Sequence, residues 1–161
     1  RQMCIRDSSY PESDYPVVER KDTAVRTFAS ELLDNPPEQL IDARPAPAYR
    51  GDGTAPVQPQ VPTLRQGHIP GAFSVPWGRS VHPNARFRPL EDIREIYKDF
   101  DPKKRTVVYC QLGESASHTW YVLNNILGFE DVALYDGSWA EWGNMVRVPV
   151  AKGDSRGGAV T

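Results

Sequence analysis

Apolar residues fall along this chain in two rhythms, one helical and one strand-like, and the two alternate. Val25, Phe28, Ala29 and Leu32 recur at helical spacing behind Thr23, a good capping residue, and Asn35-Pro36-Pro37 follows as a stop; the pattern predicts a helix. The short run Leu40-Ile41 predicts a strand that delivers Asp42 and Arg44 at its C-terminal end. Gly67-His68-Ile69-Pro70-Gly71 reads as a turn cluster feeding a second strand, Ala72 to Val75. Leu90, Ile93, Ile96, Tyr97 and Phe100 share one face of a second helix, ended by Asp101-Pro102. A third strand, Thr106-Val107-Val108-Tyr109, runs into Cys110. Helical periodicity resumes at Ala116 with Trp120, Leu123 and Leu127 on the same stripe, and Gly128 supplies a terminator. A fourth strand, Val132 to Tyr135, turns at Asp136-Gly137-Ser138 into a short helical piece from Trp139 to Asn144.

Strands alternating with helices imply an α/β domain, a parallel sheet covered on both faces. Ligands of such sheets bind outside the carboxyl ends of the strands, where Asp42, Cys110 and Asp136 all fall. At 161 residues the chain suits one domain, read as residues 23–150, with a polar, turn-rich segment 1–22 before it and a polar tail 151–161 after it. The 15 prolines concentrate the irregular structure in a long loop from Arg50 to Gln66 and a second stretch from Pro76 to Arg88.

Composition narrows the chemistry. No apolar run approaches the roughly 20 residues of a membrane helix. A formal net charge of −2 argues against a nucleic-acid surface, and it leaves any small anion to be caught by local donors. The two cysteines, Cys4 and Cys110, form no disulfide framework and show no zinc-type spacing, so no metal is expected and a reducing, cytoplasmic setting is. The opening Arg1-Gln2-Met3-Cys4-Ile5-Arg6-Asp7-Ser8 looks like translated adapter sequence, and Cys4 is given no role.

Cys110 is the chemical focus. A thiol at the end of a strand, before a Gly-containing loop and a helix start, meets converging amide N–H groups, which lower a cysteine pKa and hold an anion beside it. A redox dithiol would need a second cysteine three positions on, where Gly113 stands. A cysteine phosphatase loop ends on an Arg that grips phosphate, but the sixth residue after Cys110 is Ala116. A Cys–His hydrolase needs an imidazole base that spacing alone does not identify. Transfer of sulfane sulfur through a persulfide needs only the thiol and its amide donors.

Five segments, in order, carry a resemblance: Leu40-Ile41-Asp42-Ala43-Arg44, Gly67-His68-Ile69-Pro70-Gly71-Ala72, Val108-Tyr109-Cys110-Gln111-Leu112-Gly113-Glu114, Ser117-His118-Thr119-Trp120, and Tyr135-Asp136-Gly137-Ser138-Trp139-Ala140-Glu141-Trp142-Gly143. The chain resembles a rhodanese domain, specifically the C-terminal, catalytic half of a tandem thiosulfate sulfurtransferase. The resemblance implies a rhodanese-like fold with a central parallel five-stranded sheet and helices on both faces. It implies Cys110 as persulfide carrier and a six-residue substrate loop of Cys110, Gln111, Leu112, Gly113, Glu114 and Ser115. Thiosulfate is the implied donor, and cyanide, a small thiol or a protein thiol the acceptor; no cofactor is needed, and an N-terminal rhodanese half is expected to be missing. Close relatives commonly carry Arg at the second and sixth loop positions, here Gln111 and Ser115, and many carry another six residues after the first-strand Asp, here Ala48. Arg44, Arg50, Arg65 and Arg79 are the available replacements.

Asp42 is read as a supporting residue that accepts loop N–H bonds and holds the loop, and Arg44 as one half of an ion pair with a surface carboxylate rather than an anion ligand. His68 suits a turn-stabilising role, His118 a structural one, and His82 loop surface. Two other functions stay open: a 3-mercaptopyruvate sulfurtransferase, and a non-catalytic rhodanese-like binding or regulatory module.

Overall fold

In the computed structural model, which describes residues 11, 14, 16–19, 22–52 and 62–157, the short apolar runs become the interior of one parallel sheet. The strands are β1 (Arg26–Thr27), β2 (Gln39–Asp42), β3 (Phe73–Ser74), β4 (Thr106–Tyr109) and β5 (Val132–Tyr135), in the spatial order β1-β5-β4-β2-β3. Every residue of β2 and of β4 is buried, so their apolar residues run consecutively rather than alternating with polar ones. β4 lies at the centre, with Leu40 opposite Val107 on one side and Val107 opposite Ala133 on the other.

Strand side chains alternate between the faces, and two cores result. Leu40, Val107, Tyr109, Ala133 and Tyr135 pack with α2 (Ala29–Asp34), α3 (Ala46–Arg50) and α6 (Ser138–Trp142) through Leu32, Tyr49, Trp139 and Trp142. Ile41, Val108, Cys110 and Val132 pack on the other face with α4 (Leu90–Ile96) and α5 (Glu114–Tyr121) through Ile93 and Ala116, and with Leu123 just beyond α5. Helices therefore cover both faces of a five-stranded parallel sheet, as expected. No helix among the described residues is long and apolar enough to cross a membrane.

Three elements depart from the sequence reading. The helix expected from Thr23 to Leu32 is split into a one-turn α1 (Asp22–Val25) and α2, because Arg26 and Thr27 pair in parallel with Leu134 and Tyr135 and become the fifth strand. Ladder bonds to β5 outweigh a local helical preference that leaves Val25 and Phe28 exposed. Second, α3 interrupts the start of the expected loop at Arg50: Pro45 sets the entry, and Gly51 at φ 79° ends the turn. Third, α5 begins at Glu114 rather than Ala116, and it continues as a π-helical turn, Val122–Ile126.

Residues 151–157, the first part of the segment read as a polar tail, dock on the domain. His68 and Ala151 exchange both backbone hydrogen bonds at 2.9 Å, Gly153 donates to the Arg50 carbonyl, and Gly71 donates to that of Arg156. The segment 1–22 and the loop from Arg50 to Gln66 lie largely outside the described residues, and Cys4 lies wholly outside them.

Candidate active site

Cys110 leaves the C-terminal end of the central strand with its side chain on the α4/α5 face, entirely buried. Two groups touch the sulfur. The backbone N–H of Gly113 donates to Sγ at 3.1 Å, and the thiol donates to Glu114 Oε2 at 3.8 Å. The sulfur is thus sealed from solvent yet faces a peptide N–H on one side and a carboxylate on the other.

The loop that makes this contact depends on Gly113. Its φ of +100° is strained for any L side chain, and an added Cβ would lie 2.6 Å from Asp136 Oδ1 and 3.0 Å from the Asp136 carbonyl. The first intrahelical bond of α5 runs from Ser117 N–H to the Gly113 carbonyl at 2.8 Å. The amides of Glu114, Ser115 and Ala116 therefore precede it and have no intrahelical acceptor. The Gly113 N–H on Sγ sets the sulfur at the N-terminal end of α5, the positive end of its dipole.

The β5–α6 turn holds the loop from behind. Ser138 Oγ accepts the Cys110 N–H at 3.1 Å and donates to the Tyr135 carbonyl at 2.9 Å. Trp139 N–H donates to the Cys110 carbonyl at 3.0 Å and Ala140 N–H to that of Gln111 at 2.9 Å. Ser138 takes a left-handed φ of 53° to do this. Sequence reasoning placed this turn near the mouth but gave Ser138 no role; its only signal was its place in the fifth resembling segment.

The ion pair expected of Arg44 forms, but with Asp42 and inside the protein rather than on its surface. The side chains of Asp42 and Arg44 are 0% and 3% exposed, and Arg44 Nη2 lies 2.6 Å from Asp42 Oδ2. Arg44 also donates Nε and its backbone N–H to Asp42, and Nη2 to the Gly67 carbonyl at 2.7 Å. Burial works against the charged guanidinium, but Asp42 outweighs it and holds its pKa above the usual arginine value. The hydrogen bonds to the Asp42 carboxylate come from Arg44, not from the cysteine loop. Support reaches the loop indirectly: the guanidinium carbon sits 4.5 Å from the Trp139 ring centroid, and Trp139 is the residue that binds the Cys110 carbonyl.

The remaining loop residues separate by exposure. Gln111 is buried, Leu112 and Glu114 are exposed, and Ser115 is half-buried. Of the replacement cations, Arg65 spends its guanidinium on the carbonyls of Trp142, Met145 and Val148, and Arg50 pairs with Asp154 at 3.7 Å. Arg79 stands exposed on a 3-10 turn, Trp77–Ser80.

His68 is fully buried, stacked on Tyr49 at 3.7 Å, with Nδ1 against the Tyr49 carbonyl at 2.8 Å, and so fixes the turn. His118 is packed between Phe87 and Trp77 at ring-centroid distances of 5.2 and 5.3 Å, and burial lowers its pKa.

Comparison with known proteins identifies the family and the fold. Residues 26–145 match the family described as the Rhodanese-like domain. The chain is 46% identical over 147 residues to SseA of Mycobacterium bovis, covering 89% of this chain and 49% of that protein. It is 44% identical to the thiosulfate sulfurtransferase of Corynebacterium glutamicum, covering 93% and 53%, and 41% identical to the sulfur carrier protein TtuD of Thermus thermophilus, covering 96% and 57%. Among solved structures, EanB in complex with ergothioneine covalently linked to a cysteine persulfide superposes with a TM-score of 0.73 at 25% identity, over 91% of this chain and 35% of that one. The chain spans about half the length of the curated relatives it matches.

Proposed function

The chain belongs to the rhodanese-like domain family, and from that premise we propose that it is a sulfurtransferase carrying sulfane sulfur on Cys110 as a persulfide. Thiosulfate is the assay donor, with cyanide or a thiol as acceptor. The observation that carries the reading is the Gly113 N–H aimed at Sγ at 3.1 Å, at the end of the central strand and the start of α5. Relatives that are named as a thiosulfate sulfurtransferase and a sulfur carrier support it, as does the cysteine persulfide in EanB.

The transfer proceeds in two displacements. The Cys110 thiolate attacks the outer sulfur of thiosulfate; an S–S bond forms to Sγ, the original S–S bond breaks, and its electron pair leaves with sulfite. Cyanide then attacks the outer sulfur of the persulfide, thiocyanate departs, and the thiolate is restored. Such a covalent relay gives ping-pong kinetics. The Gly113 N–H and the free amides of the first α5 turn stabilise the negative sulfur, and the Ser138 and Trp139 bonds fix the cysteine backbone while it is loaded. Neither step uses a cofactor. We read the chain as the C-terminal, catalytic half of a tandem protein working in a reducing compartment; the match to about half the length of its relatives is compatible with either half.

Complete burial of the thiol favours one alternative, a rhodanese-like module that docks partners without turnover. Mass spectrometry after incubation with thiosulfate separates the two. A single sulfur gained on Cys110 and removed by cyanide is the expected result, with Cys110→Ser folded but neither loaded nor active. A Cys110→Ser or Cys110→Ala protein that turns over at near wild-type rate removes this mechanism, and absence of an adduct with any sulfur donor favours the module.

A further inference from the structure

The C-terminal end of β3 opens into a segment unlike the rest of the molecule. Residues 76–89 carry three arginines, Arg79, Arg86 and Arg88, and no acid, in a chain whose formal net charge is −2. They fold as the turn Trp77–Ser80 and a small hairpin, in which Val81 bridges Phe87 in antiparallel fashion and His82 N–H donates to the Arg86 carbonyl at 2.8 Å. The hairpin holds its rings against α5. His118 lies between Trp77 and Phe87, and burial lowers its pKa, so the imidazole is neutral at pH 7. Phe87 also stacks on Tyr121, one turn further along α5, at 6.2 Å. Three of these rings stay open to solvent: Trp77 at 38%, Phe87 at 44% and Tyr121 at 47%. A hollow of about 400 Å³ lies beside them, lined in part by Val81, His82, Pro83 and Ala85. Arg79 and Arg86 are exposed and form no ion pair among the described residues, while Arg88 is half-buried and donates Nε to the Val81 carbonyl. The acids next in sequence, Glu91 and Asp92, open α4 and lie at the positive end of that helix.

This platform adjoins the reactive end of the sheet. Val75 and Trp77 donate backbone N–H groups to the Asp42 and Ala43 carbonyls at 3.0 Å, and Ala43 donates to the carbonyl of Tyr109, the residue before Cys110. The helix on which the rings rest begins at Glu114, which accepts from the Cys110 thiol. Exposed aromatic rings among free arginines have the composition of a protein interface. Neither thiosulfate nor cyanide is large enough to span it.

We propose that the turn and hairpin of residues 77–88, together with Tyr121 of α5, form the docking surface for an acidic protein segment that brings a thiol acceptor to Cys110. Charge complementarity selects this occupant: the free arginines Arg79 and Arg86 meet its carboxylates, and the hollow beside Trp77 takes one of its apolar side chains. The inference rests on the reading of Cys110 as sulfur carrier. The acceptor thiolate bonds to the outer sulfur of the persulfide, the bond from that sulfur to Sγ breaks, and its electron pair stays on Sγ. The acceptor leaves as a persulfide and Cys110 returns as a thiolate.

Two peptides of equal length ending in cysteine make the probes, one with several Glu around a Leu, the other with each Glu replaced by Gln. Discharge of the thiosulfate-loaded protein by the Glu peptide is expected to be about tenfold faster than by the Gln peptide at about 0.01 M salt. The gap should shrink at about 0.1 M, where the screening length falls from about 30 to about 10 Å. Arg86→Gln should slow the Glu peptide about threefold and leave discharge by cyanide unchanged, whereas Phe87→Ser should slow both peptides alike. Fluorescence anisotropy of the labelled Glu peptide on unloaded protein reads the surface without the chemistry. Its Kd should rise about tenfold in Arg79→Gln with Arg86→Gln, at an unchanged thermal midpoint. Equal binding of the two peptides, or a Kd unmoved in the double variant, overturns the docking surface and leaves the sulfur-carrier reading standing. Self-association of the protein that Phe87→Ser abolishes, with no peptide bound, overturns it in favour of a second copy of this chain. Failure of Cys110 to gain sulfur, with the Glu peptide still held by the arginines, overturns the carrier reading and the transfer while the docking surface stands.

Discussion

Gly113 and Ser138 show how single residues set the chemistry. Cys110 stood out in the sequence because an apolar run ends on it before a loop glycine. The need for that glycine is now a matter of distance: at φ +100°, a Cβ would meet Asp136 Oδ1 at 2.6 Å. Gly113→Ala is expected to destabilise the fold by about 1–3 kcal/mol and to slow sulfur loading, as the strained loop pulls its N–H off Sγ. Chemical denaturation and loading rates check this. Adding Asp136→Ala relieves the side-chain contact but not the φ strain or the Asp136 carbonyl at 3.0 Å, so recovery should be partial; full recovery would show that φ is not the constraint. Ser138 was not legible as a site residue, because its tie to Cys110 spans 28 positions and no local pattern encodes that approach. The burial of the Asp42–Arg44 pair escaped the sequence reading for a related reason, since the elements that cover it come from distant segments.

Elements were legible where burial is uniform and illegible where pairing overrides propensity. β2, β4 and β5 announce themselves as short apolar runs, and α4 and α5 by one apolar face. β1 is hidden inside a helical pattern because its two residues are extended only through their partners Leu134 and Tyr135. The Asp42–Arg44 pair sits where β2 turns toward α3, and there it does an element's work. It fastens the β2 end to the Gly67 carbonyl and lays a guanidinium over Trp139 of α6. Arg44→Met is expected to cost about 3–5 kcal/mol, because it strands a buried carboxylate, whereas Asp42→Asn with Arg44→Met should recover much of that loss. A double-mutant cycle by equilibrium unfolding measures the coupling. Additive losses would mean that the two charges are stabilised separately, by groups other than each other.

The whole molecule places its reactive end by parallelism: all five strands run the same way, so the ends of β2, β4 and β5 carry Asp42, Cys110 and Asp136 to one edge. That much follows from alternating strand and helix signals. The closure of the opposite flank does not, because residues 151–157 have too little apolar character to announce a packed segment. They nevertheless pair with the turn at Gly67–Gly71, whose first glycine allows so close an approach that a Cβ there would lie 2.2 Å from the Ala151 carbonyl. Arg156 lies over Phe73 of β3 at 3.5 Å and donates to the Gly71 carbonyl. The turn in turn supplies the Gly67 carbonyl to Arg44, which links this segment to the pair beneath the catalytic loop. Ending the chain after Val150 removes these bonds at about 1 kcal/mol each. The thermal midpoint is therefore expected to fall by on the order of 10 °C for a chain of this size. Lys152→Ala, which alters only an exposed side chain of the same segment, should leave the midpoint in place. A truncated protein that melts with the intact one would mean that the segment rests on the domain without holding it, and that the Gly67–Gly71 turn is held by its bonds to Arg44 and Tyr109 and by the His68–Tyr49 stack.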